Sequence, residues 1–124
     1  MITVYNSHLE DHTCDKNNFY IGRKSPLGNP FTFDGKRSKL AELSFKTREE
    51  ALKAYELYFK SEYGKDNDLT KEFDEIYKRY REGNDIYLQC FCKPEKCHGD
   101  FIKKMLQQKL IKDKMANKTT IKAI

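Results

Sequence analysis

The sequence predicts one α/β domain, a short and mostly parallel sheet with helices packed on its faces. Three observations carry that expectation. At 124 residues the chain is a single domain's worth. Its periodicities run strand, loop, helix, helix, strand, helix, the alternation that builds parallel sheets. The stretch Ile86-Tyr87-Leu88-Gln89-Cys90-Phe91-Cys92 begins apolar on both parities, as a buried central strand does.

Each element has a local reason. Ile2 to Tyr5 alternates and is rich in β-branched residues, so it reads as the first strand. Residues 6–18 are polar and loop-like, and Phe19-Tyr20-Ile21 reads as a short second strand. Two Gly and two Pro between Gly22 and Phe31 exclude a regular helix or a central strand there. Phe33-Asp34-Gly35-Lys36 suggests a turn. Thr47 with Glu50 three residues on is a capping-box pattern, opening a helix from Arg48 to about Tyr63 that Gly64 stops. Its apolar positions include Ala51, Leu52, Tyr55, Tyr58, Phe59 and Tyr63. Leu69, Phe73, Ile76, Tyr77 and Tyr80 mark a second helix around Thr70, ended by Gly83-Asn84-Asp85. Lys93 to Lys96 turns, and Gly99 and Asp100 open a third helix with Ile102, Met105, Leu106, Lys109 and Leu110 in register. The periodicity fades after Asp113, so residues 1–113 are expected to form the domain and 114–124 a lysine-rich tail, a candidate for disorder.

Composition narrows the function classes. Mean hydropathy is −0.88, polar for a globular chain. Sixteen Tyr and Phe residues nevertheless argue for a packed core. No run of 18 apolar residues exists to span a membrane, and Met1-Ile2-Thr3-Val4-Tyr5 lacks the pattern of a signal peptide, so a cytoplasmic protein is expected. Twenty-four Lys and Arg stand against 19 Asp and Glu, a net charge of +5. Most charges are interleaved, as on solvated helix faces. The excess lies in Lys103, Lys104, Lys109, Lys112, Lys114, Lys118 and Lys122, a weak argument for binding phosphate or nucleic acid; a frayed, soluble tail is the favoured reading.

The densest chemistry is Cys90-x-Cys92-x4-Cys97-His98. Cysteine usage in a reducing compartment favours metal or catalysis over disulfides. One reading is a zinc site of Cys90, Cys92, Cys97 and His98, stabilising a module that binds a host protein or nucleic acid. Its spacing is awkward, because adjacent Cys97 and His98 rarely both ligate one ion. The favoured reading is a strand-turn-helix site. Cys97-His98-Gly99-Asp100 falls at a helix N-terminus, where free amides and the macrodipole favour anions and lower a cysteine's pKa. His98 is then the acid or base, Cys97 the candidate nucleophile, and Gly99 and Asp100 the anion-holding amides. A merely well-packed Cys cluster is the bland alternative. Cys14 with His8 and His12 forms a conceivable metal set, but a surface thiol without a role is the favoured reading.

The Gly-Pro loop offers a second set of groups. Gly22, Arg23, Ser25 and Asn29 supply amides, a cation, a hydroxyl and a carboxamide, the parts of a phosphate or sugar site. The loop matches neither the Walker motif nor the dinucleotide fingerprint. A structural turn explains it equally well on chemistry alone.

Together these segments carry a likeness. Tyr20-Ile21-Gly22-Arg23, Ser25-Pro26-Leu27-Gly28-Asn29-Pro30-Phe31, Thr47-Arg48-Glu49-Glu50-Ala51 with Tyr55, Cys90-Phe91-Cys92-Lys93-Pro94 and Cys97-His98-Gly99-Asp100 resemble an uncharacterised domain family of bacteriophages and bacteria. Its signatures are LGNPF and CxCxP-x2-CHGD. Phe91 stands where that family commonly has Trp. The resemblance covers roughly residues 1–110 and implies that the loops 20–31 and 90–100 meet in space. By fold analogy the Cys-His-Gly turn is similar to those of small Rossmann-like families. The reading so far expects a pocket formed by these two loops for a phosphate-bearing small molecule, a nucleotide or ADP-ribose-like compound. Arg48 reaches in from the first helix, and the outcome is either catalysis or sequestration of a signalling nucleotide.

Overall fold

Ile86, Leu88 and Cys90 are fully buried while Tyr87 and Gln89 between them are only half-buried. That alternation is the signature of a strand with one face on an apolar core. The computed structural model describes residues 1–12, 16–33, 43–45, 47–90, 93 and 97–123, with the side chains of 31–33, 43–45 and 117–123 left aside. The strand, β5 (Ile86–Cys90), is central. It pairs in parallel with β1 (Ile2–Asn6) on one side and β2 (Asn18–Tyr20) on the other. Ile2 lies opposite Ile86, Asn6 opposite Cys90, and Tyr20 opposite Gln89. All three strands therefore end at the same edge of the sheet. A second, two-stranded parallel sheet joins β3 (Phe31–Phe33) to β4 (Leu43–Phe45). The expected turn at 34–36 lies outside the described residues.

Helix α1 (Arg48–Glu62) begins where its cap dictates, with the Glu50 amide donating to Thr47 Oγ1 at 3.1 Å. It ends at Gly64, whose φ of +97° is unfavourable for other residues. Helix α2 (Asp68–Arg81) is capped by Asn67, which accepts from the Thr70 amide at 2.9 Å. Thr70, close to the expected start, instead bridges the α1–α2 connection, accepting from the Gly64 amide and donating to the Glu62 carbonyl. Helix α3 runs from His98 to Ala123, starting one residue before the expected Gly99 and continuing through the segment beyond Asp113.

The core residues of the helices meet Ile2, Ile86, Leu88 and Cys90 on one face of the sheet. Much of the aromatic content goes into the junction of the helices. Phe59 of α1 lies edge-on to Phe73 of α2 and Phe101 of α3, and stacks on Tyr63. The other face of the sheet carries Tyr5, Tyr87 and Asn18. There Tyr5 donates to Asn18 Oδ1, and the His12 ring stacks on Tyr87 at 4.3 Å. The described residues form a small mixed α/β domain with three helices and a three-stranded parallel sheet beside the β3–β4 pair. No helix among the described residues is long and apolar enough to cross a membrane.

Candidate functional site

Parallel pairing delivers the segments after β1, β2 and β5 to one edge, and polar bonds stitch them together there. Asn6, the last residue of β1, donates from Nδ2 to the Lys93 carbonyl at 3.1 Å. The Ile21 amide, just past β2, donates to the Gln89 carbonyl at 2.9 Å. His98, the first residue of α3, reaches the Ile21 carbonyl through Nε2 at 2.5 Å. The loop after β2 and the turn after β5 therefore meet, through a backbone carbonyl and a buried imidazole.

That bond decides the state of His98. A carbonyl only accepts, so Nε2 carries the hydrogen and Nδ1 of the neutral ring is left as the acceptor. Burial holds the His98 pKa down at about 4. The Ile21 bond and the Asp100 carboxylate oppose that shift, and the Arg23 guanidinium adds to it. At neutral pH the ring is uncharged. Its Nδ1 lies 3.5 Å from Cys97 Sγ. The Gly99 amide points at the same sulfur, at 3.4 Å. Tyr55 of α1 meets the imidazole edge-on at 5.1 Å, and its hydroxyl donates to the Leu27 carbonyl at 2.8 Å. Burial keeps that hydroxyl protonated by pushing its pKa well up.

Asp100 closes the turn. Its Oδ2 accepts from the Cys97 amide at 3.3 Å and its Oδ1 from Lys93 Nζ at 2.6 Å, while its own amide donates to the Cys97 carbonyl. Gly99 is required by space, since a Cβ there would sit 2.7 Å from Val4 Cγ1 and 2.8 Å from Ile21 Cδ1. The helix start is thus pressed directly onto the sheet.

Beside this turn a cleft of about 320 Å³ opens between α1 and α3. Leu52 and Glu56 form one wall, and Cys97, His98, Asp100, Phe101 and Lys104 form the other. Sequence reasoning named Cys97, His98 and Asp100, and missed Leu52, Glu56, Phe101 and Lys104. Glu56 carried no usable signal, because charged residues on helices read as solvated faces, and Lys104 stood out only as one of the lysines of the C-terminal excess. Leu52 read only as an apolar position of the first helix, and Phe101 was not singled out.

The Gly-Pro loop is organised differently. Ser25 Oγ donates to the Gly22 carbonyl at 2.6 Å, and the Ser25 amide reaches the same oxygen at 3.1 Å. The Gly28 amide donates to the Ser25 carbonyl at 2.9 Å. Arg23 donates to the Asn29 carbonyl. Ser25 borders a separate groove of about 400 Å³, with Tyr58 and Asp68 on its other side. Gly22, Arg23, Ser25 and Asn29 are therefore gathered in one loop, and none of them is among the described residues lining the His98 cleft. Arg48 stands one turn before Leu52 on α1.

The metal set is described in part. Cys90 and Cys97 are buried, and Cys92 and Cys14 lie outside the described residues. No group of three His, Cys, Asp or Glu suited to a metal occurs among the described residues. Of the remaining pair, His8 is exposed and His12 sits against Tyr5 and Tyr87.

Fold and site together define a small α/β domain whose central parallel strand leads into a Cys-His-Gly-Asp turn opening a helix. Residues 4–108 match the family described as "Domain of unknown function (DUF4326)", and the chain belongs to that family. No curated protein and no solved structure matches it.

Proposed function

We propose that the protein binds a phosphate-bearing small molecule, of nucleotide or ADP-ribose-like class, in the cleft between α1 and the first turns of α3. The observation that carries this reading is the position of the cleft. It opens on the start of a long helix, beyond the carboxyl ends of three parallel strands, with Lys104 in its wall. Ligands of parallel α/β sheets bind at such edges, and helix N-termini favour anions. The same placement supports a reduced Rossmann-like reading of the fold. The volume of about 320 Å³ falls at the small end of ligand pockets, which suits a mononucleotide or one half of a dinucleotide. Arg48, on the same helix face as Leu52, extends the cationic rim. Gly22, Arg23, Ser25 and Asn29 act by shaping the loop that presents the Ile21 carbonyl to His98.

The test is a thermal-shift and calorimetric series with ADP-ribose, AMP and pyrophosphate. ADP-ribose at about 100 times its Kd should stabilise the fold by about 2.7 kcal/mol. Lys104→Ala and Arg48→Ala should each weaken binding about tenfold, without loss of fold. No shift with any of the three compounds would overturn the reading. A melting temperature that collapses in chelator would instead favour the zinc-stabilised module.

A further inference from the structure

We propose that Cys97 is a covalent nucleophile and His98 Nδ1 the base that takes its proton, acting on an electrophilic carbon held in the α1–α3 cleft. The inference deepens the ligand reading above and rests on it for the substrate, but its own test does not require that the ligand be known.

Four features of the turn converge on the sulfur. Nδ1 lies at 3.5 Å, and the bond from Nε2 to the Ile21 carbonyl keeps the acceptor nitrogen on the sulfur's side. The ring is neutral, so Nδ1 keeps its lone pair for the sulfur's proton; burial disfavours the imidazolium, and the proton moves only as negative charge develops on the sulfur beside it. The Gly99 amide points at Sγ from the first turn of α3, where a developing thiolate gains from both the donor and the helix dipole. Finally, Cys97 is only 3% exposed yet lines the cleft, so reagents approach it from the cleft side. The molecule contains its own comparison. Cys90 is fully buried in the core, at the end of β5.

The step balances without a further reactant. The Cys97 S–H proton passes to His98 Nδ1 as the sulfur electron pair forms a bond to the electrophilic carbon. The leaving group departs with the pair of the bond that breaks. The imidazolium keeps its Nε2 bond to the Ile21 carbonyl and has the Asp100 carboxylate nearby to offset its charge. It then returns the proton to the departing group or to water.

Iodoacetamide is the probe, with each cysteine's modification followed by peptide-resolved mass spectrometry on the folded, full-length chain. Cys97 should be alkylated about 100-fold faster than Cys90, and His98→Gln should slow it by about the same factor, the size of a general-base contribution. Gln can still donate to the Ile21 carbonyl, which favours a folded variant. If it fails to fold, the pH profile of Cys97 alkylation in the wild type decides: a rate already on its plateau at about pH 7 supports an activated thiol, and a rate that climbs through about pH 8.5 like an ordinary thiol overturns the assignment. Alkylation of Cys97 no faster than Cys90, or unaltered in a folded His98→Gln variant, would overturn the assignment. Calorimetry of the unmodified protein with ADP-ribose reports the ligand reading separately, so the two can fail independently.

Discussion

The two chemically richest segments of this chain use their polar groups in opposite ways. In the loop 22–29 the hydroxyl of Ser25, the guanidinium of Arg23 and the amide of Gly28 all bond to carbonyls of the same loop. In the turn 97–100 the backbone is tied down by Asp100, while the Cys97 thiol and the His98 imidazole are turned together beside a cleft. Both segments look like ligand sites in a residue inventory. The geometry gives the first the character of a brace, and the second is where we propose a reactive centre. The Ile21–His98 bond is where the brace meets the centre.

The comparison can be broken from the brace side first. A Cβ on Gly28 would lie 2.3 Å from the Gly22 carbonyl oxygen, backbone against backbone. Gly28→Ala should cost about 3 kcal/mol or more, read as a lowered denaturant midpoint. Gly99→Ala should cost less, about 2 kcal/mol, because its nearest atoms are side-chain methyls.

The centre has a pH signature of similar size. His98 takes a proton near its ordinary 6.5 when unfolded but only near about 4 when folded. Between those values the unfolded state binds more protons, so stability rises with pH. The contribution is fully present above about pH 6.5 and is lost as pH falls to about 4, on the order of 3 kcal/mol in all. Denaturant titrations from pH 7 to 4 should show this loss in the wild type, and His98→Gln should remove that part of the slope. An identical slope in the variant would mean that the imidazole is not held neutral by the fold.

Smaller effects sharpen the picture. Tyr55→Phe removes the buried donor to the Leu27 carbonyl and should cost about 1–2 kcal/mol in chemical denaturation. Lys93→Ala breaks a partly exposed pair with Asp100 and should cost less than about 1 kcal/mol. A large loss there would mean that the turn depends on the pair more than its exposure suggests.

Much of this arrangement was legible in the residues, for identifiable reasons. Thr47, Glu50 and Gly64 marked both ends of α1, because caps and left-handed stops are local. Ile86 to Cys90 announced the central strand, and the meeting of the loops was implied by the family likeness and is realised by His98 on Ile21. The second strand is Asn18–Tyr20 rather than 19–21, with the Ile21 amide still bonded to Gln89. The three-residue strands Phe31–Phe33 and Leu43–Phe45 were missed, being too short to carry a period-two pattern. The α1 wall of the cleft was also invisible. Nothing local distinguishes Leu52 and Glu56 from their helical neighbours, and only the packing of α1 against α3 gives them a shared space. Ser25 and Arg23 read as ligand groups in the sequence, and in the fold the Ser25 hydroxyl and one Arg23 nitrogen bond to carbonyls of their own loop.

The most direct test of the division between brace and centre is an amide-resolved NMR titration of the protein with ADP-ribose. Shift changes should concentrate at Leu52, Glu56 and Cys97 to Lys104, with Ser25 to Gly28 unmoved. Changes centred on Gly22 to Asn29, with the start of α3 silent, would contradict the account and make the loop the binding site.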